Sequence, residues 1–148
     1  MQNLKILNRK EINKILDLID NQWNCRVDLD YAFLQSEKDK IYLINKEVSR
    51  IDLSKLRINS MGLYFGTLSK GELRLTIEGT QLIGKFAKKN FVELNGEEVK
   101  LFFSGQDLDK KGEEKGFVIL KHKSDFLGCG KFINGKLLNY TPKVRRIV

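Results

Sequence analysis

Gly116-Phe117-Val118-Ile119-Leu120-Lys121-His122, Phe126-Leu127-Gly128-Cys129-Gly130-Lys131-Phe132 and Lys136-Leu137-Leu138-Asn139-Tyr140 follow one another near the C-terminus. Each segment is short, rich in apolar residues and bounded by polar turn residues, the pattern of successive β-strands. Asn134-Gly135 separates the last two. That pair favours a two-residue hairpin, because both turn positions need positive φ. Two glycines inside one strand weaken it, so Gly128 and Gly130 are expected to serve a bulge or the close approach of another backbone. Cys129 between them reads as a small packed side chain.

Working outward, Phe91 to Leu94 reads as a further strand, and Gln106 to Lys115 as an exposed polar loop. Between them, Asn95 with Glu98 forms a capping box that leads Val99, Phe102 and Phe103 into a short helix closed by Gly105. Lys85, Lys88, Lys89 and Asn90 mark a shift in composition, and the boundary between two halves is placed there. In the first half, Asn8 with Glu11 is another capping box, and Ile12, Ile15, Leu16, Ile19 and Trp23 predict an amphipathic helix over 9–22. Tyr31 to Gln35 and Lys40 to Ile44 read as a hairpin, as do Leu63 to Leu68 and Glu72 to Ile77 about Ser69-Lys70-Gly71. A short helix is expected over Lys46 to Arg50, a capped turn at Asp52 and Ser54, and a helix over Glu78 to Phe86 with Leu82, Ile83 and Phe86 inward. The expected fold class is α+β, with domains over 1–88 and 89–148.

Composition narrows the function. The chain has 148 residues with 41% hydrophobic and 31% charged residues, enough for a packed core. Its longest apolar run, Phe117 to Leu120, is far too short to span a membrane. The first residues carry no apolar signal core, and two cysteines are too few for a disulfide framework, so a reducing cytoplasm is expected. The net charge is +8, of which residues 115–148 supply +7, with Asp125 their only acid. A one-ended excess of this kind points to a polyanionic partner.

Catalytic patterns are missing. His122 is the only histidine and the two cysteines lie far apart, so a zinc shell cannot be completed, and a nucleophilic triad could use only His122, beside which no nucleophile-elbow motif stands. Neither Gly62 to Gly66 nor Gly128 to Gly130 continues into a phosphate loop or dinucleotide fingerprint. Asp28 and Asp30 are the nearest carboxylate pair, and in a turn they read as residues that bend the chain. No catalytic residue, metal or cofactor is expected.

The order of elements in the second half, with Asp125-Phe126-Leu127-Gly128-Cys129-Gly130, resembles a PUA domain, an RNA-binding module. Leu127, Gly128 and Gly130 match that module's apolar-Gly-x-Gly pattern. Ile41-Tyr42-Leu43-Ile44, Met61-Gly62-Leu63-Tyr64-Phe65-Gly66 and Leu73-Arg74-Leu75-Thr76 resemble the pre-PUA α/β domain of the Nip-seven-like ribosome-biogenesis family, archaeal type. The tail Tyr140-Thr141-Pro142-Lys143-Val144-Arg145-Arg146 looks as much like PUA tails appended to RNA 5-methylcytosine methyltransferases.

The resemblance implies a pre-PUA α/β domain followed by a PUA-like mixed β-barrel. It also implies a non-catalytic binder of rRNA or pre-rRNA in large-subunit assembly, with tRNA as second choice. Lys121, Lys123, Lys136, Lys143, Arg145 and Arg146 are the expected phosphate contacts. One alternative is a protein-interaction adaptor working through its N-terminal domain, with Tyr64 and Phe65 as candidate exposed aromatics. Another is an accessory subunit that presents RNA to a separate modifying enzyme.

Overall fold

A computed structural model describes residues 4–47, 49, 62–110, 112 and 116–140. The elements run β1 (Leu4–Ile6), α1 (Arg9–Trp23), β2 (Ala32–Ser36), β3 (Lys40–Ile44), β4 (Leu63–Ser69), β5 (Glu72–Leu75) and α2 (Ile77–Ile83), then a 3-10 turn at Gly84–Phe86. The second half continues with β6 (Phe91–Glu93), α3 (Gly96–Phe103), β7 (Leu108–Asp109), β8 (Phe117–His122), β9 (Asp125–Ile133) and β10 (Lys136–Asn139). Residues 48, 50, 52, 54 and 142, which carry part of the short helix, the capped turn and the final proline read from sequence, lie outside the described residues.

Local chemistry sets the helix starts. Asn8 accepts from the Glu11 N–H at 2.9 Å while Glu11 accepts from the Asn8 N–H, so both halves of the first capping box form. Asn95 and Glu98 repeat the arrangement at α3. α1 buries Ile15, Leu16, Ile19 and Trp23 against one face of a five-stranded sheet ordered β1-β2-β3-β4-β5. Every pair in that sheet is antiparallel, so among the described residues the N-terminal half is a meander with a helix on it and not an alternating α/β unit. Its other face carries a smaller cluster of Leu34, Tyr42 and Ile44, against which Tyr64 packs.

The second sheet, ordered β6-β8-β9-β10-β7, pairs β6 with β8 in parallel and the rest antiparallel. It curls into a half-barrel compatible with a PUA-like domain. Asn134 (φ 51°) and Gly135 (φ 77°) take the left-handed turn that their identities favour. Both glycine roles in β9 are visible. The β8–β9 register skips Leu127, leaving a bulge beside Gly128, whose φ of 153° suits a residue without Cβ. At Gly130 a Cβ would stand 3.0 Å from the Leu138 carbonyl oxygen of β10, so that backbone's approach crowds one.

The main core runs through both halves: Ile83 and Leu75 pack in one cluster with Phe117, Ile119 and Cys129. Gln22 on α1 binds both backbone groups of Leu73 on edge strand β5, accepting at 2.7 Å and donating at 2.9 Å. The segment that follows is tied to the same helix end. Lys88 N–H donates to the Trp23 carbonyl at 2.8 Å, and Asn90 Nδ2 donates to that of Gln22 at 2.6 Å, satisfying carbonyls that a helix C-terminus leaves open. Among the described residues, no helix is long and apolar enough to cross a membrane.

One sequence expectation is corrected by the chain between the halves. Phe86 was expected inward, but α2 ends at Ile83 and tightens into the 3-10 turn, which advances about 120° per residue in place of 100°. The ring is rotated outward and is 48% exposed.

Candidate nucleic-acid interface

The penultimate residue of β8 is Lys121, whose ammonium lies 5.7 Å from the ring centres of both Phe91 and Phe126. The register explains this placement. β6 sets Phe91 opposite Ile119, two residues before Lys121, and the bulge at Leu127 sets Phe126 opposite Lys121 itself. Phe126 also packs on Gly84, where an added Cβ would meet its ring at 2.5 Å. Two residues further on, Phe86 projects with the Lys85 ammonium 5.1 Å from its ring centre. Lys88 and Lys89, both exposed, lie in the pinned segment between Phe86 and Phe91. Phe91 is 41% exposed.

The result is a surface on which cations alternate with open aromatic rings. Each ring attracts its neighbouring ammonium, by about 0.5–1 kcal/mol at an exposed site. The same two kinds of group are what unpaired nucleotides need, a flat π-face for the base and a cation for the phosphate.

Lys123 stands at the tip of the β8–β9 turn in a left-handed conformation (φ 56°). Its N–H donates to Glu93 at 2.6 Å, which fixes the turn and leaves the side chain exposed. His122 Nδ1 lies 2.7 Å from the Leu94 carbonyl oxygen. A carbonyl only accepts, so Nδ1 carries the proton and the histidine helps hold β6 beside β8.

The six cations named from sequence are not one cluster. Lys121 and Lys123 share one end of β8. Lys136 follows the turn at the far end of the nine-residue β9, roughly 25 Å away at strand rise. Lys143, Arg145 and Arg146 lie outside the described residues. Lys131 is engaged elsewhere, 3.2 Å from Glu72 and 4.7 Å from the Phe117 ring centre, in the join between the two sheets. Sequence reasoning did not pick out Lys85, Phe86, Lys88, Lys89 and Phe91 for this candidate surface. The signal was legible as two aromatics bracketing two lysines in Phe86-Ala87-Lys88-Lys89-Asn90-Phe91.

Beside this surface lies a groove of about 540 Å³ between α2, α3 and the β8–β9 turn. Phe126 is shared between groove and surface.

Burial pushes the Cys129 thiol up to about 12, and burial also raises that of Cys25, so neither is a nucleophile at neutral pH. Asp30 is paired with Lys46 at 2.6 Å on the surface. Phe65 is fully buried, and Tyr64 is half-buried with its ring centre 5.4 Å from that of Tyr42. Among the described residues, no group of three or more His, Cys, Asp or Glu is placed to hold a metal ion.

Comparison with known proteins gives this geometry a family context. Residues 89–147 match the family described as the methyltransferase RsmF PUA domain. Among curated proteins, the ribosomal RNA small subunit methyltransferase F of Aeromonas hydrophila is 29% identical over 111 residues, covering 74% of this chain and 23% of that protein. Its counterpart in Vibrio campbellii is 24% identical over 140 residues, covering 90% of this chain and 29% of that protein. The chain therefore spans about a quarter of the length of the curated relatives it matches. These relatives are bacterial rRNA methyltransferases and not Nip-seven-like or archaeal proteins, so the archaeal ribosome-biogenesis assignment gives way while the PUA resemblance stands. The part of the chain that carries Phe91, Lys121, Lys123 and Phe126 is thus the part that matches a PUA-like domain of the RsmF type.

Proposed function

We propose that this chain holds single-stranded or looped rRNA for a methyltransferase activity and takes no part in methyl transfer itself. Lys121, set between two rings and followed by Lys123 inside the PUA-like domain, is the observation that carries this reading. Phosphates would meet Lys121, Lys123, Lys85, Lys88 and Lys89, while unpaired bases stack on Phe86 and Phe91. Of the two roles expected from sequence, presenting RNA to a modifying enzyme is favoured over large-subunit assembly, because the relatives are named for methylating small-subunit rRNA. Of the two aromatics named for the adaptor reading, Phe65 lies in the core and Tyr64 is half-buried.

The test is fluorescence anisotropy with a short unstructured RNA across a salt series, beside a duplex of equal length. If about four of the five lysines meet phosphates, log affinity falls with log salt at a slope near −3, from roughly 0.7 counterions per single-strand contact. The single strand is expected to bind more tightly than the duplex, which hides its base faces. No binding at low salt, or equal affinity for the duplex, overturns the reading.

A further inference from the structure

The groove beside the basic surface is lined by Ile77 and Gln81 of α2, Phe103 of α3, Ser124 of the β8–β9 turn, and Asp125, Phe126 and Leu127 at the start of β9. Its lining mixes aliphatic and aromatic side chains (Ile77, Leu127, Phe103, Phe126) with three polar ones. Gln81, Ser124 and Asp125 are exposed, and none has a hydrogen-bond or ionic partner among the described residues. About 540 Å³ falls in the range of small-molecule sites, roughly 300–1,000 Å³. The groove is open along one side, so a base can enter while still attached to its strand.

Asp125 is the chemical oddity. It is the only acid in residues 115–148, and it stands two positions from Lys123 on a surface otherwise suited to phosphate. A carboxylate there repels the backbone of a nucleic acid, but it is a strong acceptor for a base edge. Its two oxygens match two adjacent N–H donors. Among the four RNA bases only guanine offers such a pair on its Watson–Crick edge, from N1 and the 2-amino group. Adenine, cytosine and uracil each place an acceptor next to their donor, which a carboxylate opposes.

We propose that this groove takes one extruded guanine, stacked against Phe126 or Phe103 and held at its Watson–Crick edge by Asp125. The inference rests on the RNA-binding reading, because the strand bound at Lys121 delivers the base. Phe126 links the two: the Lys121 ammonium lies 5.7 Å from the centre of a ring that also lines the groove. Phosphate contacts then supply affinity, and the groove supplies the sequence preference that they lack.

The experiment uses short oligouridylates carrying one central guanosine, adenosine or inosine, titrated by anisotropy against wild type and Asp125→Asn. Wild type is expected to prefer guanosine over adenosine about tenfold, with inosine between because it keeps N1–H and lacks the 2-amino group. Asp125→Asn is expected to abolish that order while keeping or tightening its hold on plain oligouridylate, since a negative charge has left a phosphate-binding face. Retained oligouridylate binding also shows that the variant is folded. Equal wild-type affinity for guanosine and adenosine overturns the groove proposal and leaves the RNA reading standing, as does a guanosine preference that survives in Asp125→Asn. Failure of wild type to bind oligouridylate at low salt overturns the RNA reading and the groove with it.

Discussion

Gly84→Ala places one methyl group where the halves of the molecule meet at the proposed interface. The backbone there is helical (φ −56°), so alanine fits it without strain. By chain entropy alone the change would stabilise by about 0.4–1 kcal/mol. The new Cβ, however, would stand 2.5 Å from Cδ1 and 2.7 Å from Cγ of Phe126. Cγ is the atom nearest the backbone in that ring, so the ring yields only by leaving its place beside Lys121. Forcing a methyl into a filled site costs about 1–3 kcal/mol. The steric effect wins, and a net loss of about 1–2 kcal/mol is expected, a fall of roughly 3–7 °C in Tm for a chain of this size. Gly96→Ala is the control, because a Cβ at the first residue of α3 has nothing within 4 Å. That variant should gain the entropic term and melt slightly higher. Thermal unfolding followed by circular dichroism reads both, and RNA anisotropy on Gly84→Ala should show weaker binding with the fold retained. A Gly84→Ala protein that melts at or above Gly96→Ala would refute the packing of Phe126 on this turn, and with it the shape of the interface.

Both thiols are buried, and Cys129 is pushed up to about 12 by that burial. Titration with a thiol reagent at pH 8 should find neither reacting promptly in the folded protein and both reacting in denaturant; fast modification of Cys129 would contradict the packing of β9. Glu98 supplies a pH dependence. Burial alone would raise its carboxyl, but the Asn95 N–H and the Lys110 ammonium at 2.9 Å outweigh that and hold it below 4.5. A carboxylate with a depressed folded value stabilises above its unfolded value, and that contribution is lost as pH falls through the folded one. Glu98→Gln keeps the cap but not the charge, so wild type should be the more stable at pH 7 and the gap should close below pH 4.5. A gap that widens in acid would contradict the assignment.

What the sequence revealed was what local chemistry decides. Two capping boxes, the Asn134-Gly135 turn and the strands β8, β9 and β10 depend on neighbours a few residues apart, and all appear as read. β1 and β7 did not stand out, because three and two residues are too few to show a period, and each exists by pairing with a strand distant in sequence. The makeup of the candidate surface was half legible. Charge counted along the chain drew attention to Lys121 and Lys123, and equally to Lys136, which the length of β9 carries to the opposite end. Phe86 and Phe91 were legible as aromatics bracketing two lysines, but their exposure was not. One was assigned to a helix interior that the 3-10 turn opens, and the other lies on an edge strand whose outward face follows from its parallel pairing with β8.

The salt dependence of RNA binding in matched lysine variants tests the location of the interface most directly. Lys121→Ala with Lys123→Ala removes two cations from the aromatic surface, whereas Lys136→Ala removes one from the far end of β9. With a short unstructured RNA, the double variant should bind more weakly and its log–log salt slope should flatten by about 1.4, from roughly 0.7 per lost contact. Lys136→Ala should match wild type in both. A flattened slope for Lys136→Ala, with the double variant unchanged, would contradict the account by moving the RNA to the other end of the sheet.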